Sequence, residues 1–374
     1  MRISAIETVA VSPAVRPELA VAGARGAHDR SDFLLVRVRT TGGVSGVGEV
    51  SATLLWSGED AVTARHAIAR ALAPALLGQP LVPVAALERR MDRALAGSPF
   101  TKAGVATALW DAYARSLGVP LAVALGGPLR ERVPVKCSLS GSGARLREVH
   151  AAALAAGFRA FKLKVGFDAG TDAVRLAHAR ELVGPDAFLG LDANGGYGRA
   201  EARRFLDLAL EHRPAFLEQP VAPADLAGMR ELRGLGVPIV ADESVFGRDD
   251  LVSVIRAEAA DVVSLYIGKS GGPGRLVEMA HLADAFGLEV VLGSNGELGL
   301  GAAAQIHAAC ASPGLSARIP SDIIGAHYYA HDVLEHPLAL DGRMAGLDAF
   351  GAEPGLGVAP AAGVAAGFTP ATSS

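Results

Sequence analysis

Short apolar runs that stop at a charged or strongly polar residue recur through the second two-thirds of the chain. From about residue 133 they read VPVKCSLS (133–140), AFKLKVG (160–166), AFLGLDAN (187–194), AFLEQP (215–220), PIVADES (238–244), DVVSLYIGK (261–269) and LEVVLGSN (288–295). A shorter eighth run lies near ARIPSDI (317–323). Between them stand stretches with apolar positions at helical spacing, such as TDAVRLAHARELVG (171–184) and GRLVEMAHLADAFG (274–287). Near-continuous apolar strands alternating with helices indicate parallel strands buried on both faces. Seven or eight units, each of about 22–28 residues, predict a closed (β/α) barrel rather than an open doubly wound sheet.

The flanks follow a different rhythm. Residues 1–60 read as strands, with DFLLVRVRT (32–40) joined by a Gly-rich turn to a second strand in TGGVSGVGEV. Residues 60–118 read as helices, and GVPLAVALGG (118–127) closes the section. Beyond residue 330 the repeat stops, and a Gly/Pro-rich tail with short apolar pieces is expected to return to the N-terminal region. The expected fold class is therefore α/β. A (β/α)7β TIM-like barrel over residues 126–330 carries an α+β capping domain over 1–125, to which segment 331–374 returns.

Composition narrows the functional classes. Of 374 residues, 50% are hydrophobic and 20% charged, enough for a large core, and the formal net charge is −4. There is no basic stretch of the kind that binds nucleic acid. Cys137 and Cys310 alone make neither a disulfide framework nor a zinc ribbon. No charged leader with an apolar core and no uncharged apolar run of membrane length is present. A soluble cytoplasmic protein without nucleic-acid or membrane partners is expected.

In such barrels the reacting groups sit at the C-terminal ends of the strands. Strand two ends with Lys162 and Lys164, strand three with Asp192 and Asn194, strand four with Glu218, strand five with Asp242 and Glu243, and strand six with Lys269. Strand seven runs into Ser294, Asn295 and Glu297. Singly, each has an ordinary alternative: Asp192 as a turn residue or helix cap, Glu218 as a solvated carboxylate, Lys269 in GKSGGPG as a phosphate contact. Together, carboxylates on three consecutive strands converge on one point and offer hard oxygen ligands of the kind Mg²⁺ takes. Lys162 and Lys164 alternate onto one strand face, and lysines are almost never buried unpaired. A proton next to a carboxylate is removed only if the enolate is stabilised by fixed positive charge, which a divalent metal supplies. A lysine is then the base if a neighbouring ammonium lowers its pKa towards neutrality. On this reading Lys164 is the base, Lys162 tunes it, and Lys269 stands across the site.

The stretches FKLKVG, LDANGGY, FLEQP, VADES, IGKSGGPG and GSNGELGLG, in that order, resemble the enolase superfamily, specifically its muconate-lactonizing-enzyme subgroup. The resemblance extends over about residues 1–345, including GVGEVSAT and the SPFTKAGVATALWDAYARSLGVPLAVALGG segment of the cap. It implies a Mg²⁺ (or Mn²⁺) ion on Asp192, Glu218 and Asp242, Lys164 as acid/base with Lys162 as companion, and Lys269 as the opposite lysine. Asn194 and Glu243 match secondary positions that orient the ligands and Lys269, and Glu297 matches a strand-seven glutamate near the substrate. Ser294, Asn295 and Trp56 are further candidates for the substrate wall, and Trp56 equally suits packing within the cap. A small carboxylate substrate and a homo-oligomer are implied as well.

The reaction stays open among cycloisomerisation of a muconate, racemisation or epimerisation, and dehydration. IGKSGGP is closest to the cycloisomerases, whereas GSNGELGLG departs from their methionine-containing strand-seven turn. The late His-x-Asp pair of mandelate-racemase-like members is missing. PSDIIG offers only Asp322 where dipeptide epimerases carry Asp-x-Asp. Specificity is expected from the cap loops 15–30 and 51–60, where Arg16, Arg25, His28 and Arg30 either meet an anionic substrate or stay solvated. A catalytically silent acid-binding barrel and a phosphate-binding barrel enzyme are the alternatives of other classes.

Overall fold

The computed structural model describes residues 1–24, 26–28 and 31–372. Its centre is a seven-stranded parallel sheet in sequential order: Cys137–Leu139, Ala160–Lys164, Phe188–Asp192, Leu217–Glu218, Ile239–Ala241, Val262–Leu265 and Glu289–Leu292. A helix of seven or more residues follows each strand, from Gly143–Ala155 to Gly299–Ala311. Sequential parallel order with a helical crossover after each strand curls the sheet into a barrel.

The closure differs from expectation. Residues 317–323 form no regular eighth strand. Instead, Ser321 N donates to Pro134 O, Lys136 N to Ser321 O, and Asp322 N to Leu292 O, so an irregular segment links the first strand to the seventh. The stretch 133–140 also splits: Arg132–Pro134 pairs antiparallel with Met344–Gly346, and only Cys137–Leu139 enters the barrel. The break falls after Pro134, where Val135 N donates to Arg343 O and Lys136 N to Ser321 O instead of to strand two. Strand six is shorter than its apolar run, since residues 267–270 turn helical before the positive-φ glycines 271 and 272. Phe216, Val240, Val262, Val291 and Ile319 pack as an apolar floor inside the barrel.

The cap is an antiparallel sheet in the order Thr369–Pro370, Ile3–Val11, Phe33–Thr40, Ser45–Val50. The C-terminal tail thus supplies an edge strand to the N-terminal sheet. Helix Pro99–Leu117 lies on this sheet at very short range. A Cβ on Gly48 would sit 2.1 Å from Gly104 O, so only glycine permits the approach. Within that helix Asp111 is fully buried and accepts from Val47 N, Leu356 N and Arg115, tying sheet, helix and tail to one carboxylate.

His307, buried in helix Gly299–Ala311, makes the corresponding tie on the barrel side. Its Nδ1 accepts from Ala122 N and its Nε2 faces Leu356 O, both at 3.2 Å, which fixes a neutral imidazole. Burial holds its pKa down at about 4, against an ordinary 6.5. Between those values the folded chain binds fewer protons than the unfolded one. The stabilising contribution is therefore complete above pH 6.5 and is lost as pH falls through the window. By pH 5 the loss is about 2 kcal/mol. In urea titrations, His307→Gln is expected to show an unfolding free energy that falls less between pH 6.5 and 5, by about that amount. Equal slopes in wild type and variant would contradict the assignment.

Candidate active site

The parallel ladder sets the site's geometry. Lys164 pairs with Asp192, and Asp192 with Glu218, so base candidate and two carboxylates share one rung across three strands. Lys162 lies two residues earlier on the same face and is almost fully buried. Its ammonium contacts Glu218 Oε2 at 2.9 Å, Asp322 Oδ2 at 3.1 Å and Asp192 Oδ2 at 3.3 Å. Lys164 Nζ lies 2.7 Å from that same Asp192 oxygen and 3.1 Å from Asn194 Oδ1. The two lysines therefore meet across one carboxylate oxygen.

Electrostatics follow from this packing. Burial alone would lower Lys162, but Asp322, Glu218 and Asp192 outweigh it and hold its pKa well above the ordinary lysine value. Burial likewise opposes ionisation of Asp192, yet Lys164 and Lys162 keep its carboxyl far below the usual range. Glu218 goes the other way. Burial, with Asp192, Asp242 and Asp322 adding repulsion, pushes it up to about 8 despite Lys162. Its Oε1 is buried without a hydrogen-bond partner among the described residues.

Asp242 lies just beyond strand five. Its Oδ1 accepts from Lys269 at 2.5 Å and its Oδ2 from Tyr266 at 2.9 Å. Gln219 braces it: at φ 36°, a left-handed conformation costly for a non-glycine residue, Gln219 accepts from Asp242 N and Ser244 N. Asn194, also at positive φ, donates to Glu243 Oε1 and so joins strands three and five.

Among the described residues, no three carboxylate, imidazole or thiol side chains converge as a ready metal cage. A lysine stands on each of Asp192, Glu218 and Asp242 instead. The donor set nonetheless suits a hard divalent cation. It is all oxygen, it is buried, and the orphaned Glu218 Oε1 and the repulsion on Glu218 mark a local deficit of positive charge.

A cavity of about 320 Å³ lies between this rung and the cap. Lys162, Lys164, Asn194, Ser294, Asn295 and Trp56 line it. Trp56 does both things foreseen for it, lining the cavity and stacking on Tyr266 at 5.4 Å and Phe246 at 5.2 Å. The cap backbone closes directly over the base candidate: a Cβ on Gly23 would fall 2.9 Å from Asn194 Oδ1.

Two placements need correcting. Lys269 is not at the end of strand six and does not line this cavity. It sits in the helical turn Ile267–Ser270, where Nζ donates to Asp242 O, Asp242 Oδ1 and Ser264 O with the Tyr266 ring 4.1 Å away. Glu297 is also outside the cavity wall. It is buried where the cap meets helix Gly299–Ala311, accepting from Ser294 Oγ, from Asn295 N at 3.2 Å and from Gln305 Nε2 at 3.2 Å. Its role is to brace Ser294 and Asn295. Among the cap-loop candidates, Arg16 is exposed, donates to Tyr329 O and does not line the cavity. Arg25, Arg30 and the side chain of His28 lie outside the described residues.

Sequence reasoning missed Tyr266, Gln219, Tyr328, Tyr329 and Lys136, and left Asp322 outside the site. Tyr266 lies inside the run 261–269 read as strand six, which ends at Leu265, and Asp322 lies inside the run 317–323, which forms no regular strand, so neither was read as a strand-end group. Lys136 sits mid-run in VPVKCSLS, where only its charge among apolar neighbours marks it.

Comparisons with known proteins agree with this architecture. The sequence model described as "Enolase C-terminal domain-like" matches residues 145–364. The one described as "Mandelate racemase / muconate lactonizing enzyme, N-terminal domain" matches residues 5–126. Muconate cycloisomerase 1 of Rhodococcus opacus is 34% identical over 366 residues, 96% of each chain. Among solved structures, the substrate-liganded L-Ala-D/L-Glu epimerase of Bacillus subtilis superposes with a TM-score of 0.91 at 29% identity, covering 97% of this chain and 100% of that one. The N-succinyl Arg/Lys racemase of Bacillus cereus gives 0.91 at 27% identity, covering 97% of each.

Cap and barrel are locked together beside this site by Glu49. Its buried carboxylate accepts from Leu298 N and Gly301 N, each at 2.9 Å, at the start of helix Gly299–Ala311. Glu49→Ala abandons two buried donors, each worth about 1–3 kcal/mol. Urea denaturation is expected to show that loss, and a smaller one for Glu49→Gln, which keeps an acceptor. A Glu49→Ala protein as stable as wild type would remove the clamp from the account.

Proposed function

The chain belongs to the mandelate racemase and muconate lactonizing enzyme family of enolase-superfamily enzymes, and from that premise we propose that it removes the α-proton of a carboxylate substrate to form a metal-stabilised enolate, as a muconate-cycloisomerase-like lyase or isomerase. One observation carries this reading: Lys164, at the cavity wall, shares a strand rung with Asp192 and Glu218. Asp192, Glu218 and Asp242 would hold Mg²⁺ or Mn²⁺. The bound ion supplies fixed positive charge for the enolate and a template for the substrate carboxylate.

The chain's own residues divide the remaining work. Lys164 takes the proton as its neutral amine, since its side chain is the less buried of the pair and has the fewer carboxylates on it. Lys162, held charged by three carboxylates, orients and balances the developing oxyanion. Asn194 holds Lys164 and, through Glu243, ties it to strand five. Asn295 and Ser294, braced by Glu297, present neutral polar groups to the substrate. Trp56 and Tyr266 form an aromatic wall that excludes water.

Racemisation and epimerisation by two bases need a second acid/base in reach of the substrate. Lys269, under Tyr266 with its three donors engaged, does not line the cavity, which favours chemistry on one face at Lys164. A silent acid-binding barrel would carry the desolvation cost of several buried lysines with no return.

Incubation in deuterated water with a library of carboxylic acids is expected to show α-proton exchange or turnover that EDTA abolishes and Mg²⁺ restores. Lys164→Ala is expected to lose about 10²–10⁴-fold in rate while still binding the acid. Undiminished turnover in Lys164→Ala would sink the proposed role.

A further inference from the structure

Lys136 is a buried lysine that the proposed chemistry does not use. It lies before the first barrel strand and is 1% exposed, with its ammonium 5.6 Å from the Phe216 ring on the apolar barrel floor. It does not line the substrate cavity. Its Nζ donates to Pro320 O at 2.6 Å and lies 2.9 Å from Asp322 Oδ2. Asp322 does line the cavity, and Lys162 holds the same oxygen from the active-site side. No hydrogen bond among the described residues engages Asp322 Oδ1.

We propose that Lys136 is a specificity-determining residue: from outside the cavity it cancels the charge of Asp322, so that the site takes acids without a cationic group and rejects those that carry an ammonium. The inference rests on the function proposed above and concerns which acids that site admits. Asp322 is the cavity carboxylate best placed to attract a substrate ammonium, and Lys136 already supplies its counter-charge. Asp322 Oδ2 already carries two cations, Lys136 and Lys162, so a further ammonium brought to it would be a buried positive charge without a counter-charge of its own, a costly state. Without Lys136, an ammonium at Asp322 takes the vacated place.

The test is calorimetric binding in Mg²⁺, with no turnover required. The probes are matched acids differing by a terminal ammonium: propanoate and β-alanine, butanoate and 4-aminobutanoate, hexanoate and 6-aminohexanoate. Wild type is expected to bind the plain acid more tightly in each pair. Lys136→Met is expected to shift the ratio of dissociation constants towards the amino acid by about tenfold or more at the length that reaches Asp322. Lys136→Gln keeps a donor to Pro320 O without the charge and gives the same reading if the Met variant does not fold. Lys136→Arg keeps the charge and is expected to retain the wild-type ratio. The proposal is overturned if wild type shows no preference for the plain acids, if the folded neutral variants leave the ratio unchanged, or if Lys136→Arg shifts it equally. Loss of α-proton exchange alongside the predicted binding shift would count against the enolate chemistry alone.

Discussion

Charges buried inside a barrel must be arranged so that each finds its opposite within hydrogen-bonding distance, and this requirement organises the whole mouth of the molecule. Lys162 and Lys164 would repel each other on a bare strand face. Parallel pairing with the next strand brings Asp192 between them, and one further strand adds Glu218. The register that buries Phe161, Leu163, Leu189 and Leu191 thus also sets the order of cation and anion along the rung. A one-residue slip of either strand would expose the apolar set and strand the lysines together. Fold stability and site geometry are consequences of one pairing.

The cap depends on a second set of buried polar ties. Asp111 joins cap sheet, cap helix and C-terminal tail, Glu49 caps the helix that begins behind strand seven, and His307 links that helix to both cap and tail. Each of these groups is costly to bury and accepts or donates to backbone, where only a fixed geometry satisfies it. Glu297 extends the same network to Ser294 and Asn295 on the cavity wall.

Much of this was legible from the order of residues. Seven apolar runs ending in polar groups gave the barrel, because a strand buried on both faces cannot carry charge until it reaches the mouth. The placement of Asp192, Glu218 and Asp242 at or just beyond the ends of strands three, four and five followed from that rule. The remainder depends on contacts that periodicity does not encode. Segment 317–323 closes the barrel without a regular ladder, so Asp322 had no strand end to mark it. Lys269 and Glu297 were read by position, but a helical turn carries Lys269 off the cavity wall, and Glu297 in the loop before helix Gly299–Ala311 turns to Ser294, Asn295 and Gln305. Tyr266 and Gln219 act through side-chain bonds to Asp242, and such partnerships across strands leave no spacing signature. Lys136 breaks an apolar run and offered the one visible cue among the missed residues.

The glycine at position 23 bears on how such an enzyme changes over time. With no side chain there, cap backbone itself forms the ceiling over Lys164 and Asn194. The ceiling and the rung beneath it belong to separate stretches of chain, the loop before Phe33–Thr40 and the strands Ala160–Lys164 and Phe188–Asp192. Alterations to residues 15–24 or 53–56 therefore reshape the chamber's height and polarity while the lysine–carboxylate rung keeps its spacing. Recognition can drift across generations of sequence with that rung held constant, and a single barrel mouth can serve a succession of small molecules.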